Sequence, residues 1–344
     1  MKHEPGRPGP LLRAAAAALS LILDPTVFLS FDRSGFRRHA INFDPADLDV
    51  DLTGRTCLVT GANSGIGLAT AEGLAARGAS VWLLCRSRER GAQAARALRE
   101  ATGSRKIHVA TLDVADFGSI RRFAAEFRAG TVDVLVHNAG VLPGKRTLTA
   151  DGNELTLATN LLGPLLLTLL LLPKLQASGA ARVVFVSSGG MYTQRLSAAD
   201  PDWQSRPFDG VVAYAQTKRM QVTLAELLAA ALAPLRVVVH SMHPGWADTP
   251  AVRTSLPRFH AATRHILRSP AQGADTVLWL AASAAAGRSS GRFWFDRRPR
   301  PTHLLSRTRE TPADRERFRA LCAGRVPEFR ALAAAGPSAP SRPR

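Results

Sequence analysis

From Thr56 onward the chain alternates short runs of β-branched and other apolar residues with longer Ala-rich stretches of helical length. The short runs are Thr56 to Thr60, Ser80 to Cys85, Ile107 to Leu112, Val132 to His137, Arg182 to Ser187, Arg236 to Ser241 and Gly291 to Phe295. Nearly continuous apolar character, without a polar residue at every second position, is the pattern of strands covered on both faces. Helices between such strands supply the crossovers of a parallel sheet. The pattern predicts an α/β fold, a doubly wound sheet of seven parallel strands within one domain over 51–305. Extensions flank it at 1–50 and 306–344.

Three apolar stretches fall outside that alternation. Leu161 to Leu172 is a run of leucines interrupted only by Gly163, Pro164 and Thr168. It is too short to cross a hydrocarbon core, which takes about 20 helical residues, so it predicts a central helix buried on most sides. Between Pro312 and Ala335, Phe318, Leu321, Val326, Phe329 and Leu332 recur at a spacing that suits a terminal amphipathic helix, with Pro337 to Arg344 expected to be disordered. Near the N-terminus, Leu11 to Leu23 follows Lys2, Arg7 and Arg13 in a layout like that of a signal peptide, but Asp24-Pro25 ends it without a small-residue cleavage site. Two readings stay open for that segment: a peripheral membrane contact, or a helix packed on the domain.

Composition adds two constraints. The formal charge is +18 over 344 residues, yet only five basic residues are lysines, and the arginines are scattered through an Ala-rich and Arg-rich chain. No nucleic-acid-binding signature accompanies the charge, so no nucleic-acid partner is expected. Cys57, Cys85 and Cys322 lie far apart with no CxxC pair, which points away from disulfides and zinc and toward a reducing compartment, the cytoplasm.

The first strand runs into Thr60-Gly61-Ala62-Asn63-Ser64-Gly65-Ile66-Gly67, which opens a helix closed by Gly78. A strand, a glycine turn and a helix start bring backbone amides and the positive helix end to a pyrophosphate. Nineteen residues past Gly67, where an NAD site of the Rossmann type offers a carboxylate to the adenosine ribose, stands Arg86, with Arg88 nearby. A guanidinium there can pair with a 2′-phosphate, so the expected cofactor is NADP, with NAD the lesser alternative. Further along, Tyr214-Ala215-Gln216-Thr217-Lys218 puts a phenol and an ammonium on one helical face. A neighbouring cation stabilises phenolate and brings a phenol of pKa near 10 toward neutral pH, as proton transfer to an alkoxide requires.

Taken together, the TGxxxGIG loop, Asn138-Ala139-Gly140 after the fourth strand, Ser187-Ser188 after the fifth and YxxxK make the chain resemble the short-chain dehydrogenase/reductase family, in its retinol-dehydrogenase-like branch. The resemblance covers roughly residues 27 to 305. It implies a Rossmann fold with Gly61, Asn63, Ser64, Gly65, Ile66 and Gly67 at the cofactor phosphates. Asp113 and Val114 would lie at the adenine, and Asn138, Ala139 and Gly140 beside the cofactor. It also implies Tyr214 as acid/base, Lys218 behind it and at the cofactor, and Ser188 rather than Ser187 on the substrate carbonyl, with Asn160 holding a water for proton relay. Pro244, Gly245 and Thr249 would form a turn beside the nicotinamide. Val252 to Leu267 would be a mobile lid, and the insert with Met191, Tyr192, Trp203 and Phe208 would cover part of the pocket. His137 is expected to be structural. A homodimer is implied, built through the helices that follow Asn160 and carry Tyr214.

The expected activity is hydride transfer between the nicotinamide and a carbonyl or alcohol of a lipophilic small molecule. The alternative is a regulatory or scaffold protein that binds NADP without turnover. It would be supported by loss of Tyr, Lys or Ser, and all three are present.

Overall fold

Alternate residues of the first strand divide the interior into two layers: Cys57 and Val59 enter one apolar cluster, and Leu58 enters the other. The computed structural model describes residues 8–334. The tail expected at Pro337 to Arg344, and Lys2 and Arg7 ahead of the N-terminal apolar run, lie outside the described residues. In chain order the elements are α1 (Pro10–Leu23), α2 (Phe28–Phe31), α3 (Arg33–Ala40), β1 (Thr56–Thr60), α4 (Gly65–Ala75), β2 (Ser80–Cys85), α5 (Arg88–Thr102), β3 (Ile107–Thr111), α6 (Phe117–Glu126) and β4 (Val134–His137). Then come α7 (Leu155–Leu157), α8 (Gly163–Leu170), α9 (Leu172–Ser178), β5 (Arg182–Val186), α10 (Gly210–Leu232), β6 (Val238–Met242), α11 (Pro250–Ser255), α12 (Pro257–Thr263) and α13 (Pro270–Ala282). β7 (Phe293–Phe295), β8 (Arg298–Pro299), α14 (Pro312–Arg325) and α15 (Phe329–Ala334) complete the described chain.

The sheet order is β3-β2-β1-β4-β5-β6-β7-β8. Chain direction reverses across the sheet between β1 and β4, the switch point at which doubly wound folds bind ligands. Helices α4, α5 and α13 pack on one face, and α6, α8 and α10 on the other. The seven expected strands are all present and parallel. An eighth corrects the count: β8 pairs antiparallel to β7, Phe295 opposite Arg298. Asp296 and Arg297 between them both have positive φ, 49° and 55°, as a tight two-residue hairpin turn requires. Two residues, one of them proline, carry no strand pattern in sequence.

The leucine run is buried as expected but is not a single helix. A π turn at Ala158–Leu162 leads into α8, and the chain bends by 61° before α9. Pro164 and Pro173 each sit in the first turn of a helix, where a missing N–H is tolerated; Pro173 thereby starts a new helix instead of extending the old one. Among the described residues no single helix is long and apolar enough to cross a membrane, and the bent pair that passes by composition is this core segment.

The C-terminal amphipathic helix is likewise two helices, α14 and α15, because Pro327 interrupts the periodicity. Phe318, Cys322, Val326 and Phe329 join the cluster that contains Leu165, Leu166 and Leu169. Ion pairs of Arg315 with Glu226 (2.8 Å) and of Arg325 with Asp202 hold the segment in place. The helix pair expected to receive a second copy is therefore already covered by the chain's own C-terminal segment.

The N-terminal extension is sewn onto the domain by buried charge. Arg268 is 1% exposed and forms a two-pronged pair with Asp296, at 2.6 and 2.8 Å. Asp296 also faces His39 Nδ1 at 2.6 Å, while His39 Nε2 faces Asp24 at 2.8 Å. Asp24 in turn holds Arg38 and Arg300. A ring that meets a carboxylate at each nitrogen must donate from both, so it is an imidazolium. Burial alone would depress the His39 pKa, but hydrogen bonds to Asp24 and Asp296 and their charges outweigh it and raise the pKa above 6.5. The stabilisation from His39 is thus complete below pH 6.5 and is lost as pH rises through the folded-state pKa. His39→Ala, which leaves a buried carboxylate (Asp296) and a half-buried one (Asp24) short of a cation, should cost about 3 kcal/mol in urea unfolding at pH 6. The gap from wild type should close as pH is raised; a gap that widens would contradict the assignment.

Candidate active site

At the carboxyl end of β1 the chain turns at Gly61 (φ 64°), where a side chain would press on Ala139. The Thr60 hydroxyl donates to Val136 O (3.2 Å) and accepts the amides of Asn138 (3.0 Å) and Ala139 (3.1 Å). Asn138 returns the contact, its Nδ2 donating to Thr60 O (3.0 Å) and Gly61 O (3.3 Å). Gly67 packs so closely on Asn138 and the Gly61 carbonyl that a Cβ has no room there. Asn138 thus clamps the glycine loop, and Ala139 and Gly140 follow it along the rim.

Beneath the loop lies a residue whose part in this site the sequence does not disclose. The Cys85 thiol at the end of β2 accepts the amides of Ala62 and Asn63, and burial pushes its pKa up to about 11. Asn63 and Ser64 follow on the loop, and the Ser64 hydroxyl makes no capping bond to α4. Ile66 packs toward Gly273. Thr249 lies against Gly65 from the opposite side and accepts the Val252 amide (3.3 Å) as the cap of α11.

Arg86 is exposed just after β2 and has no carboxylate partner among the described residues; Arg88, also exposed, opens α5. Asp113 accepts the Ala115 amide (2.9 Å) and Val114 is buried. Arg86, Asp113 and the glycine loop therefore meet along the carboxyl ends of β2, β3 and β1.

Tyr214 and Lys218 project from α10. Lys218 is 2% exposed, its Nζ donating to Val186 O (2.8 Å) and standing 5.3 Å from the Tyr214 ring centre. Burial depresses the ammonium pKa to about 7. Burial also raises the Tyr214 phenol, opposed by a hydrogen bond from Ser188. Desolvation dominates both groups, and the Lys218 ammonium is turned toward a backbone carbonyl.

Ser187 and Ser188 part company. Ser187 is buried and donates to Lys218 O (2.8 Å), bracing β5 against α10. Ser188 caps the turn Gly189–Thr193 and reaches the phenol. Asn160 lies in the π turn, where its Oδ1 accepts the Val141 amide (2.9 Å) and its Nδ2 donates to Val141 O (3.2 Å) and Thr217 Oγ1 (3.0 Å). Its side chain pins the segment after Gly140. Gly140 packs directly on Asn160 Oδ1 and Lys218 Nζ.

His137 is structural, as expected: it donates to Thr168 (2.7 Å), stacks on Phe185, and burial lowers its pKa to about 3. The stretch expected as a mobile lid is largely helical, in α11 and α12, with Asp248 and Arg253 paired across two hydrogen bonds of 2.8 and 2.7 Å. Pro244 and Gly245 lie on Arg268: the Pro244 carbonyl accepts from it (3.4 Å), and Gly245, at φ 76°, leaves no space for a side chain over the guanidinium. In the insert, Met191 and Trp203 are buried, Trp203 meets Phe208 edge-on, and Tyr192 donates to Pro301 O (2.9 Å).

The model of the family described as short chain dehydrogenase matches residues 55–258. The chain is 46% identical over 293 residues to dehydrogenase/reductase SDR family member 12 of Bos taurus, covering 84% of this chain and 91% of that protein. It is 36% identical to retinol dehydrogenase 11 of Mus musculus over 257 residues, 72% of this chain and 79% of that protein. An uncharacterised protein of Mycobacterium paratuberculosis superposes with a TM-score of 0.66 at 30% identity, over 83% of this chain and 97% of that one. A short chain dehydrogenase of Escherichia coli solved with NADPH superposes with a TM-score of 0.59 at 27% identity, over 74% of this chain and 100% of that one. The chain belongs to the short-chain dehydrogenase/reductase family of oxidoreductases.

Proposed function

We propose that this protein is an NADP(H)-dependent oxidoreductase that interconverts a carbonyl and an alcohol on a lipophilic small molecule, with Tyr214 as general acid/base. The observation that carries this reading is the meeting of Tyr214, Ser188 and Lys218 at the carboxyl end of β5, next to the glycine loop on β1. The cofactor, when bound, supplies or accepts the hydride. The cradle fits such a group: Gly61 and Gly67 leave the loop without side chains, α4 starts without a side-chain cap, and Arg86, with no carboxylate partner among the described residues, would meet a 2′-phosphate. The NADPH bound in the Escherichia coli relative supports the choice of cofactor.

In the reducing direction the Tyr214 hydroxyl gives its proton to the carbonyl oxygen as negative charge develops there, while the Ser188 hydroxyl donates a hydrogen bond to the same oxygen. The phenolate left on Tyr214 is stabilised by Lys218 in its protonated form, at a site where water is largely excluded. Asn160 holds the Val141 backbone and the Thr217 hydroxyl, fixing the wall behind Lys218 at which a water would relay the proton. The lipophilic substrate is supported by Val211, exposed one turn before Tyr214, and by the aromatic insert around Trp203 and Phe208.

We place the protein in the cytoplasm, at a membrane surface. Helix α1 docks through Ala16 and Ser20, the latter accepting from Arg38 (3.0 Å), and turns Leu11 (87% exposed), Leu19, Leu21 (81% exposed) and Ile22 outward. One packed face and one unpartnered apolar face fit both readings of this segment at once. The expected homodimer would use a face other than the part of α8 and α10 that α14 and α15 cover.

Tyr214→Phe should lower NADPH oxidation across a panel of aldehydes, ketones and quinones by about 100-fold or more, with NADPH binding retained in fluorescence titration. Full activity in that variant would overturn the mechanism. Arg86→Ala should raise KM for NADPH by about 10- to 100-fold and leave KM for NADH unchanged, since a charge-assisted contact to phosphate is all it removes. Leu21→Asp with Ile22→Asp should abolish sedimentation with phosphatidylcholine/phosphatidylserine vesicles while NADPH oxidation persists. Undiminished sedimentation would dismiss α1 as the contact.

A further inference from the structure

Ser188 sits on a turn whose second anchor lies across the sheet. The amide of Gly189 donates to Nδ1 of His243 at 2.9 Å. His243 is buried at the end of β6, its own amide donating to Trp294 O (2.9 Å). An imidazole that accepts at Nδ1 carries its proton on Nε2 and is neutral; the imidazolium would set two N–H groups face to face. The Nε2 atom has no hydrogen-bond partner among the described residues. Apolar packing holds the ring in its place: Phe31 meets it edge-on with centres 4.3 Å apart, and Phe295 stacks at 5.1 Å and 19°. Gly189 packs on the same pair, because a Cβ there would lie 2.6 Å from the Phe31 ring and 3.0 Å from His243 Nε2.

Phe31 comes from α2 in the N-terminal extension. Its carbonyl accepts from Arg268 Nε (2.9 Å) and from the Trp246 amide (2.8 Å), so it is held by the buried Arg268–Asp296 pair and by the turn that follows His243. The charged groups facing the His243 ring are Arg268, which opposes a further proton, and Asp296, which favours one. Burial outweighs both and keeps the ring neutral, with its pKa pushed down to about 3.

We infer that His243 is a positioning residue: wedged by Phe31, its neutral imidazole fixes the Gly189 amide and so aims the Ser188 hydroxyl at Tyr214, which makes the N-terminal extension part of the frame of the active site. The inference rests on the reading of Ser188 and Tyr214 given above. It accounts for a buried histidine that the proposed chemistry does not itself use, and for the absence of a side chain at position 189.

The chain has only two tyrosines, Tyr192 and Tyr214. In a Tyr192→Phe background, labelling tyrosine with ¹³C at Cζ gives a single NMR line, that of Tyr214, which reports the hydrogen bond from Ser188 without any substrate. Ser188→Ala should move this line. His243→Leu, which has no acceptor, should move it in the same direction and by a similar amount. The double variant should move it no further than Ser188→Ala alone. His243→Asn, whose Oδ1 can take the place of Nδ1, should leave the line at the wild-type position. A wild-type line in His243→Leu overturns the inference, as does a His243→Asn line displaced as far as that of His243→Leu. If His243→Leu does not fold, Phe31→Ala stands in for it: a line moved toward that of Ser188→Ala supports the inference, and an unmoved line overturns it. If Ser188→Ala itself leaves the line in place, it is the reading of Ser188 and Tyr214 that fails, an outcome separate from failure of the His243 link.

Discussion

A single buried guanidinium holds the N-terminal extension, the β7–β8 hairpin and the turn after β6 together. Arg268 reaches Asp296 with two hydrogen bonds, the carbonyls of Ser30, Phe31 and Asp32 in the N-terminal extension, and the carbonyl of Pro244. Burying such a charge is tolerable only when its donors find acceptors, and here six oxygens of the backbone and side chains supply them. Several other features follow from it. Gly245 must lack a side chain, the β7–β8 hairpin must present Asp296 inward, and α2 must lie across the end of β6. His39 extends the same chain of charge to Asp24, Arg38 and Arg300, so residues 20–40 are an integral layer of the fold.

The proposed chemistry depends on a different buried cation under an opposite constraint. Lys218 has no carboxylate near it, only the Val186 carbonyl, so desolvation acts on it unopposed and its pKa falls. Tyr214 is shifted the other way by the same burial, with Ser188 as its one stabilising contact. Burial thus pushes both groups toward their neutral forms.

Much of the fold and the site was legible along the chain. Expected and observed bounds of β1 and β2 coincide, and the glycine loop, Arg86, Asn138 and the Tyr214–Lys218 pair lie together at the switch point of the sheet. These are local patterns, set by chain spacing and by period, and they need no partner to be read. The departures all involve contacts distant in sequence. Prolines 173 and 327 signal breaks, but whether a helix restarts beyond them depends on what covers it. β8 exists because β7 offers it an edge.

The sequence by itself determined the doubly wound sheet, its nucleotide loop and the phenol–ammonium pair, because each is encoded within a strand, a turn or one face of a helix. Only the tertiary structure decided what surrounds them. It seated the C-terminal helices over the leucine run, turned Cys85 under the glycine loop, took both ends of the Asn160 side chain for the backbone at Val141, and brought Phe31 and His243 behind Ser188. Arg268 reads in sequence as one more arginine in an arginine-rich chain. It becomes the centre of the N-terminal clasp because residues some 236 positions apart supply its acceptors, and no periodicity records a meeting that only packing brings about.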